Sequence, residues 1–170
     1  LDPDEGSIIV EGGIDTSTNL PFEGSIISDA NSSVVSPLTS LSHALMKNGK
    51  TKAEAESLVL TILGISQSID LSNYDPLAAL ENGDEQAVHV LRQSTMLANM
   101  IKHAGAFANF LEPNDKHSRS VGLILMNEIA KDIAGGVTDI FALENLENNL
   151  RKTVEKLEIA SNMTAEDFSV

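Results

Sequence analysis

The sequence contains no cysteine and no tryptophan. The absence of cysteine excludes disulfide bridges, thiolate metal sites and cysteine nucleophiles. One tyrosine and five phenylalanines in 170 residues leave few aromatic side chains, so we expect an aliphatic core. No apolar run approaches the roughly 18 residues that a membrane-spanning helix needs, and we therefore predict no membrane span.

Basic residues are also scarce, with 11 Lys and Arg against 25 Asp and Glu, which gives a formal net charge of −14. A nucleic-acid-binding protein needs a basic face that replaces the counterions of the phosphates. We therefore predict no nucleic-acid partner, and an anionic membrane surface is disfavoured for the same reason. A surface this acidic favours solubility and attracts divalent cations.

The common catalytic and nucleotide-binding motifs are missing. The sequence has no H-E-x-x-H, no Walker loop, no G-x-G-x-x-G after a strand and no G-x-S-x-G. Its four histidines are scattered along the chain. We predict that the protein is not an enzyme, and we assign no catalytic residue.

Two acidic clusters are the candidate metal sites. Asp2 and Asp4 resemble the start of a calcium-binding loop, but the later ligands and the closing glutamate are missing. Asp70 and Asp75 form a second cluster. Asp70 as a turn former and Asp75 as a helix cap would explain this cluster without a metal. We predict no cofactor, and these four aspartates remain the candidate ligands if calcium binds.

The first 36 residues are rich in Gly, Ser, Thr, Asn and Asp, which is typical of turns. Three β-branched runs stand out between the turns, at Ser7–Val10, Ser25–Ile27 and Ser33–Val35. Two or three short strands cannot bury a core of their own. We therefore expect this arm to pack on the rest of the chain or to extend another sheet.

Helix signals dominate after residue 36. Ser36 is a good N-cap before a proline, Thr51 and Glu54 form a capping box, and Asp75 also precedes a proline. The predicted helices run from Pro37 to Asn48, from Thr51 to Leu63, from Leu77 to Glu81, over about 85–111, over 119–134, and from Thr138 or Asp139 to about Leu157.

The predicted fold is mainly α, with a β-rich arm over residues 1–36 and a bundle of five or six helices over residues 37–170. The helix over 85–111 is apolar on most faces, so we predict that it lies buried at the centre of the bundle. Its segment Met96–Phe110 would be either plain core or the lining of an apolar cavity.

Three stretches follow one another along the chain in a recognisable order: Gly12–Gly24 (GGIDTSTNLPFEG), Val34–Leu41 (VVSPLTSL) and Ile69–Leu77 (IDLSNYDPL). Together they resemble a helical module of very large bacterial secreted and cell-surface proteins, where similar segments accompany adhesin-like and calcium-binding repeats. The resemblance implies an extracellular or cell-surface location and a structural or adhesive role. It also implies an upstream β-domain, of which residues 1–10 would be the last strand.

From these observations we predict a non-enzymatic interaction module of a bacterial surface assembly, such as an adhesive, matrix or filament protein. Its partners would be proteins or further copies of itself, joined by strand addition. The expected joining residues are Ile8, Ile9, Val10, Ile26 and Ile27, which could equally pack within their own chain. The alternative is a helical accessory subunit that binds an apolar ligand or pigment.

Overall fold

The computed structural model describes residues 6–15, 19–22, 24–111 and 121–161. The described ranges confirm the predicted mainly helical fold with a β-rich N-terminal arm. The strands are β1 Ser7–Glu11, β2 Ile14–Asp15, β3 Leu20–Pro21 and β4 Ser25–Asp29. The helices are α1 Pro37–Lys47, α2 Lys52–Ile62, α3 Pro76–Glu81, α4 Gln86–Leu111, α5 Val121–Ala134 and α6 Leu143–Ser161.

The arm is an antiparallel ribbon. Strand β1 pairs with β4 so that Ile9 lies opposite Ile27, and β2 pairs with β3 beyond them. The third predicted strand, Ser33–Val35, is wrong because this segment has no strand partner. The N–H groups of Ser33 and Val34 both donate instead to the carbonyl of Ser72, at 2.9 and 3.1 Å. The segment is thus a linker fixed to the turn before α3.

Helix α1 lies at the centre of the molecule. Ser36 and Thr39 form a capping box that starts the helix, as the Ser36 N-cap predicted. Every residue from Pro37 to Leu45 is buried. The helix packs against β4, α2, α4 and α5, so it joins the ribbon to the rest of the bundle.

The prediction that the long helix lies buried at the centre is wrong. Helix α4 buries Val90, Leu97 and Ile101 on one side. On its other sides, Val88 is 59% exposed and Phe110 is 80% exposed. Since α1 occupies the centre, α4 packs across the bundle with one face and leaves apolar side chains outside.

Ile101 is fully buried between two glycines. A Cβ atom added to Gly122 in α5 would lie 2.5 Å from Ile101 Cγ2, and one added to Gly24 before β4 would lie 2.8 Å from the same atom. Both distances are shorter than real Cβ contacts. The glycines therefore allow α5 and the ribbon to approach the same side chain of α4.

The predicted caps of α2 and α3 are confirmed, because Thr51 and Glu54 form a capping box and Asp75 accepts from the first turn of α3. The predicted start of the last helix at Thr138 or Asp139 is wrong, since α6 begins at Leu143. Asp139 Oδ1 accepts the N–H groups of residues 141 and 142, each at 3.0 Å, so it closes a turn before the helix.

Ion pairs join α6 to α5. Glu128 is buried on α5 and accepts from Lys131 at 2.9 Å and from Lys156 of α6. Lys152 of α6 donates to Asp132 at 2.7 Å. Burial by itself raises the pKa of Glu128, but the hydrogen bonds from the lysines outweigh it and place the pKa below its usual value. The buried carboxylate is therefore ionised and depends on its lysine partners.

Candidate interaction site at the ribbon edge

The outer edge of β4 is closed by hydroxyl groups of α1. The N–H of Ile27 donates to Ser40 Oγ at 2.8 Å. The hydroxyls of Ser40 and Thr39 lie 3.2 and 3.3 Å from the carbonyl oxygen of Ile27, within reach to donate. A hydroxyl both donates and accepts, so it can replace the amide of a neighbouring strand. Helix α1 thus provides hydrogen-bond partners for both outward backbone groups of Ile27, in the middle of β4.

The outer edge of β1 has no such cover in the part of the chain that the structure describes. The backbone groups of Ile27 point to α1, so its pair with Ile9 is a non-hydrogen-bonded pair of the ladder. The N–H and C=O of Ile9 therefore point away from β4. Among the described strands, β1 pairs only with β4. In the described part of the chain, the outward backbone groups of Ile9 are therefore not paired with another strand.

The side chains of β1 are apolar and accessible. Ile8 is 37% exposed, Ile9 is 55% exposed and Val10 is 38% exposed. Natural sheets usually protect an edge strand with charged residues, proline or a bulge. In β1 the charge is limited to Glu11 at the end of the strand. Open backbone groups and exposed β-branched side chains thus occur together on this strand.

The structure brings all five predicted joining residues onto the ribbon but divides them by strand. Ile8, Ile9 and Val10 lie on β1 and are accessible. On β4, Ile27 is 7% exposed within the core and Ile26 packs against the core. A partner that meets the ribbon from outside would therefore contact β1.

A groove of about 410 Å³ runs beside β1, and we call it the ribbon groove. Asp75 is the one charged residue among its described lining residues. All three stretches that carry the sequence resemblance contribute to it. The lining comprises Val10, Gly12, Ile14, Phe22 and Ile26 of the ribbon; residues 33–37 of the linker; residues 75–77 at the start of α3; and Leu91, Ser94, Thr95 and Ala98 of α4.

Two of the predicted calcium ligands have hydrogen-bond partners within the protein, and the other two lie outside the described residues. Asp70 accepts from the N–H of Ser72 at 3.0 Å and from the side chain of Asn73 at 2.8 Å. Asp75 Oδ1 accepts the N–H groups of residues 77 and 78 as a helix cap. Asp2 and Asp4 lie outside the described residues. Within those residues, no three His, Cys, Asp or Glu side chains are grouped to hold a metal.

The stretch Met96–Phe110, predicted as core or as the lining of a ligand cavity, contributes mainly to the core. Leu97, Ile101, Ala104 and Ala108 are buried in the main hydrophobic cluster. Of this stretch, Ala98 lines the ribbon groove, and none of its described residues lines the pocket between α1 and α5.

Sequence reasoning did not find Thr39 and Ser40, the residues that close β4. The pattern of Leu38, Leu41 and Leu45 defines one apolar face of α1 and leaves both hydroxyls off it. From the sequence, only the small size of the polar side chains of α1 indicates that this helix could be buried on every side. Their role depends on contacts with a strand 12 or 13 residues earlier.

None of the described helices is both long and apolar enough to cross a membrane. Comparison of the chain with protein-family models, with curated proteins and with solved structures finds no match. The geometry of the β1 edge and of the ribbon groove is therefore what bears on function.

Proposed function

We propose that the protein is a non-enzymatic interaction module of a bacterial extracellular or cell-surface assembly, which joins protein partners by strand addition at β1. The observation that carries this proposal is the contrast between an open, apolar β1 edge and a closed β4 edge. An added strand would form main-chain hydrogen bonds with the outward N–H and C=O groups of Ile9 and Glu11. Such hydrogen bonds provide the affinity in strand addition.

The ribbon groove supports the proposal because it lies beside the open strand. Val10 and Ile14 belong both to the ribbon and to the groove. Side chains of an added strand that point to this side would therefore meet a groove lined by both apolar and hydroxyl-bearing side chains. Asp75 in the groove and the net charge of −14 favour a partner segment that carries Lys or Arg.

The proposed location outside the cell rests on the sequence resemblance. The stretches Gly12–Gly24, Val34–Leu41 and Ile69–Leu77 carry that resemblance, and all three line the ribbon groove. The part of the molecule that resembles surface proteins thus lines the groove in which we propose that a partner binds. Surface labelling of intact cells that produce the full-length protein tests this location. If the module is protected from the label, it does not lie outside the cell.

Strand addition is tested with a short synthetic peptide in which valine and lysine alternate. On titration, the amide signals of Ile9 and Glu11 should shift in the NMR spectrum and become protected from hydrogen exchange. The amides of Ile8 and Val10, which face β4, should be protected with or without peptide. Ile9→Pro removes the outward N–H and should reduce binding about ten-fold or more.

Two controls make the outcome decisive. A valine–glutamate peptide has the same strand propensity and the opposite charge, so it should bind more weakly than the valine–lysine peptide. Sizing chromatography over a range of protein concentrations, with and without calcium, measures joining of identical chains at the same edge. The proposal fails if neither peptide shifts the β1 amides and the chain remains a monomer, or if Ile9→Pro binds like the wild type.

A further inference from the structure

An apolar patch lies on the outside of helices α3 and α4. The two helices pack against each other and are joined by a short turn. Leu77 and Leu80 of α3 and Val88 of α4 are exposed, and Leu91 of α4 is half-buried. We call these four residues the hairpin patch. Large apolar side chains that lie together on a surface mark a site of protein interaction.

The spacing of the four residues brings their side chains together. Leu80 and Val88 are each four positions from Asp84 in the turn, and Leu77 and Leu91 are each seven positions from it. Residues at equal distances from the turn lie opposite each other in a helical hairpin. Residues three apart on one helix are neighbours on its surface. Leu77 and Leu91 also line the same groove, as this arrangement requires.

The hairpin patch continues the ribbon groove, because Leu77 and Leu91 belong to both. On its other side, the groove is lined by Val10 and Gly12 of the ribbon. The groove therefore lies at the Glu11 end of β1. A strand added to β1 that runs on past this end would cross the groove and reach the patch.

The surroundings of the patch are acidic. From Asp75 to Leu91 the chain carries four carboxylates and no lysine or arginine. Glu81 follows Leu80 at the end of α3, Glu85 precedes α4, and both are exposed. Charge complementarity therefore favours a partner segment that carries lysine. It disfavours a second copy of this chain, whose net charge is −14.

We propose that the hairpin patch binds the continuation of the added strand, a segment in which two large aliphatic side chains flank a lysine. The inference rests on the proposed strand addition at β1 and describes a second part of the same partner. Packed helices have axes about 8–10 Å apart, so the patch is wide enough for two such side chains. Alternate residues of an extended segment are about 7 Å apart, which matches this width.

The test compares the valine–lysine peptide with two longer peptides, which add Leu-Lys-Leu at the amino end or at the carboxyl end. The peptide whose addition leaves β1 at the Glu11 end should bind about five-fold or more tightly than the short peptide. The methyl NMR signals of Leu80 and Val88, which lie outside the groove lining, should shift with that peptide and not with the short one.

Variants of Leu80 test the apolar contact. Leu80→Ser should remove the gain in affinity of the longer peptide, and Leu80→Met should retain it. Leu150→Ser on α6 is the matched control, since Leu150 is 39% exposed and Leu80 is 44% exposed, and it should change neither affinity. If Leu80→Ser does not fold, Val88→Thr keeps the side-chain shape and should weaken the longer peptide about two-fold or more.

The outcomes separate this inference from the proposed function. If all three peptides protect the amides of Ile9 and Glu11 with equal affinity, strand addition stands and the inference is overturned. If no peptide shifts these amides, both are overturned. If the signals of Leu80 and Val88 shift with protein concentration in the absence of peptide, a second copy of the chain covers the patch, which also overturns the inference.

Discussion

The two edges of the β1–β4 ribbon have the same kind of backbone and different surroundings. On the β4 side, Ile27 forms hydrogen bonds with the hydroxyls at the start of α1. On the β1 side, the backbone groups of Ile9 point away from the ribbon, and β1 has no second strand partner among the described residues. The difference shows that hydroxyls of a helix can pair with the outward backbone groups on one edge of a two-stranded ribbon. The fold then does not need the outward backbone groups of the other edge.

The sharpest way to break this comparison is to place proline at adjacent positions of β1. Val10→Pro removes an N–H that faces β4 and should destabilise the fold by about 2–3 kcal/mol. Ile9→Pro removes an N–H that faces outward, where proline is tolerated, and should cost less than about 1 kcal/mol. Urea denaturation followed by circular dichroism measures both. Equal losses would show that the two N–H groups do not face opposite sides.

A smaller effect is expected from Ser40→Ala at the closed edge. The variant leaves the buried N–H of Ile27 without its acceptor and should lower the free energy of unfolding by about 1–2 kcal/mol. Hydrogen exchange of the Ile27 amide should become faster. Ser57→Ala removes an exposed hydroxyl of α2 and should change stability by less than about 0.5 kcal/mol. If Ser40→Ala costs no more than this control, α1 does not close the edge.

The smallest effect concerns Asp29, at the end of the closed strand. The N–H of Asn31 donates to Asp29 at 2.9 Å and lowers the pKa of the carboxyl, burial opposes this shift, and the charge of Lys52 adds to it. Because the folded-state pKa is below the unfolded value, ionised Asp29 stabilises the fold above about pH 4. This contribution disappears as the pH falls through the folded-state pKa.

Asp29→Asn should therefore be slightly less stable than the wild type at neutral pH, by less than about 1 kcal/mol, since the carboxyl is partly exposed. The difference between the two proteins should shrink as the solution is acidified below about pH 4. Parallel denaturation curves at several pH values measure it. A difference that stays constant with pH would show that the charge of Asp29 does not contribute.

The sequence predicts the local features of this fold well and the tertiary ones poorly. Helix starts at Ser36, Thr51 and Asp75 follow from side chains that bond to the next turn, so a few residues suffice to predict them. The central helix was not predictable in this way. Counting apolar residues favours α4, whereas α1 is buried because Thr39 and Ser40 find partners on β4.

The candidate site was predictable only in part, for the same reason. The β-branched run at Ile8, Ile9 and Val10 marks a strand from sequence alone. Which of its edges is open depends on the register with Ile27 and on α1, and neither is encoded locally.

Ile101, held between Gly24 and Gly122, has a consequence for how the sequence can change during evolution. Alanine at either glycine would collide with the same Cγ2 atom. A smaller residue at position 101 would relieve both collisions, but it would leave a cavity while the glycines remain. The effects of substitutions at the three positions are therefore not additive. An evolutionary path that replaces a glycine first has a strained protein as its intermediate. A path that replaces Ile101 first has an intermediate with a cavity in its core.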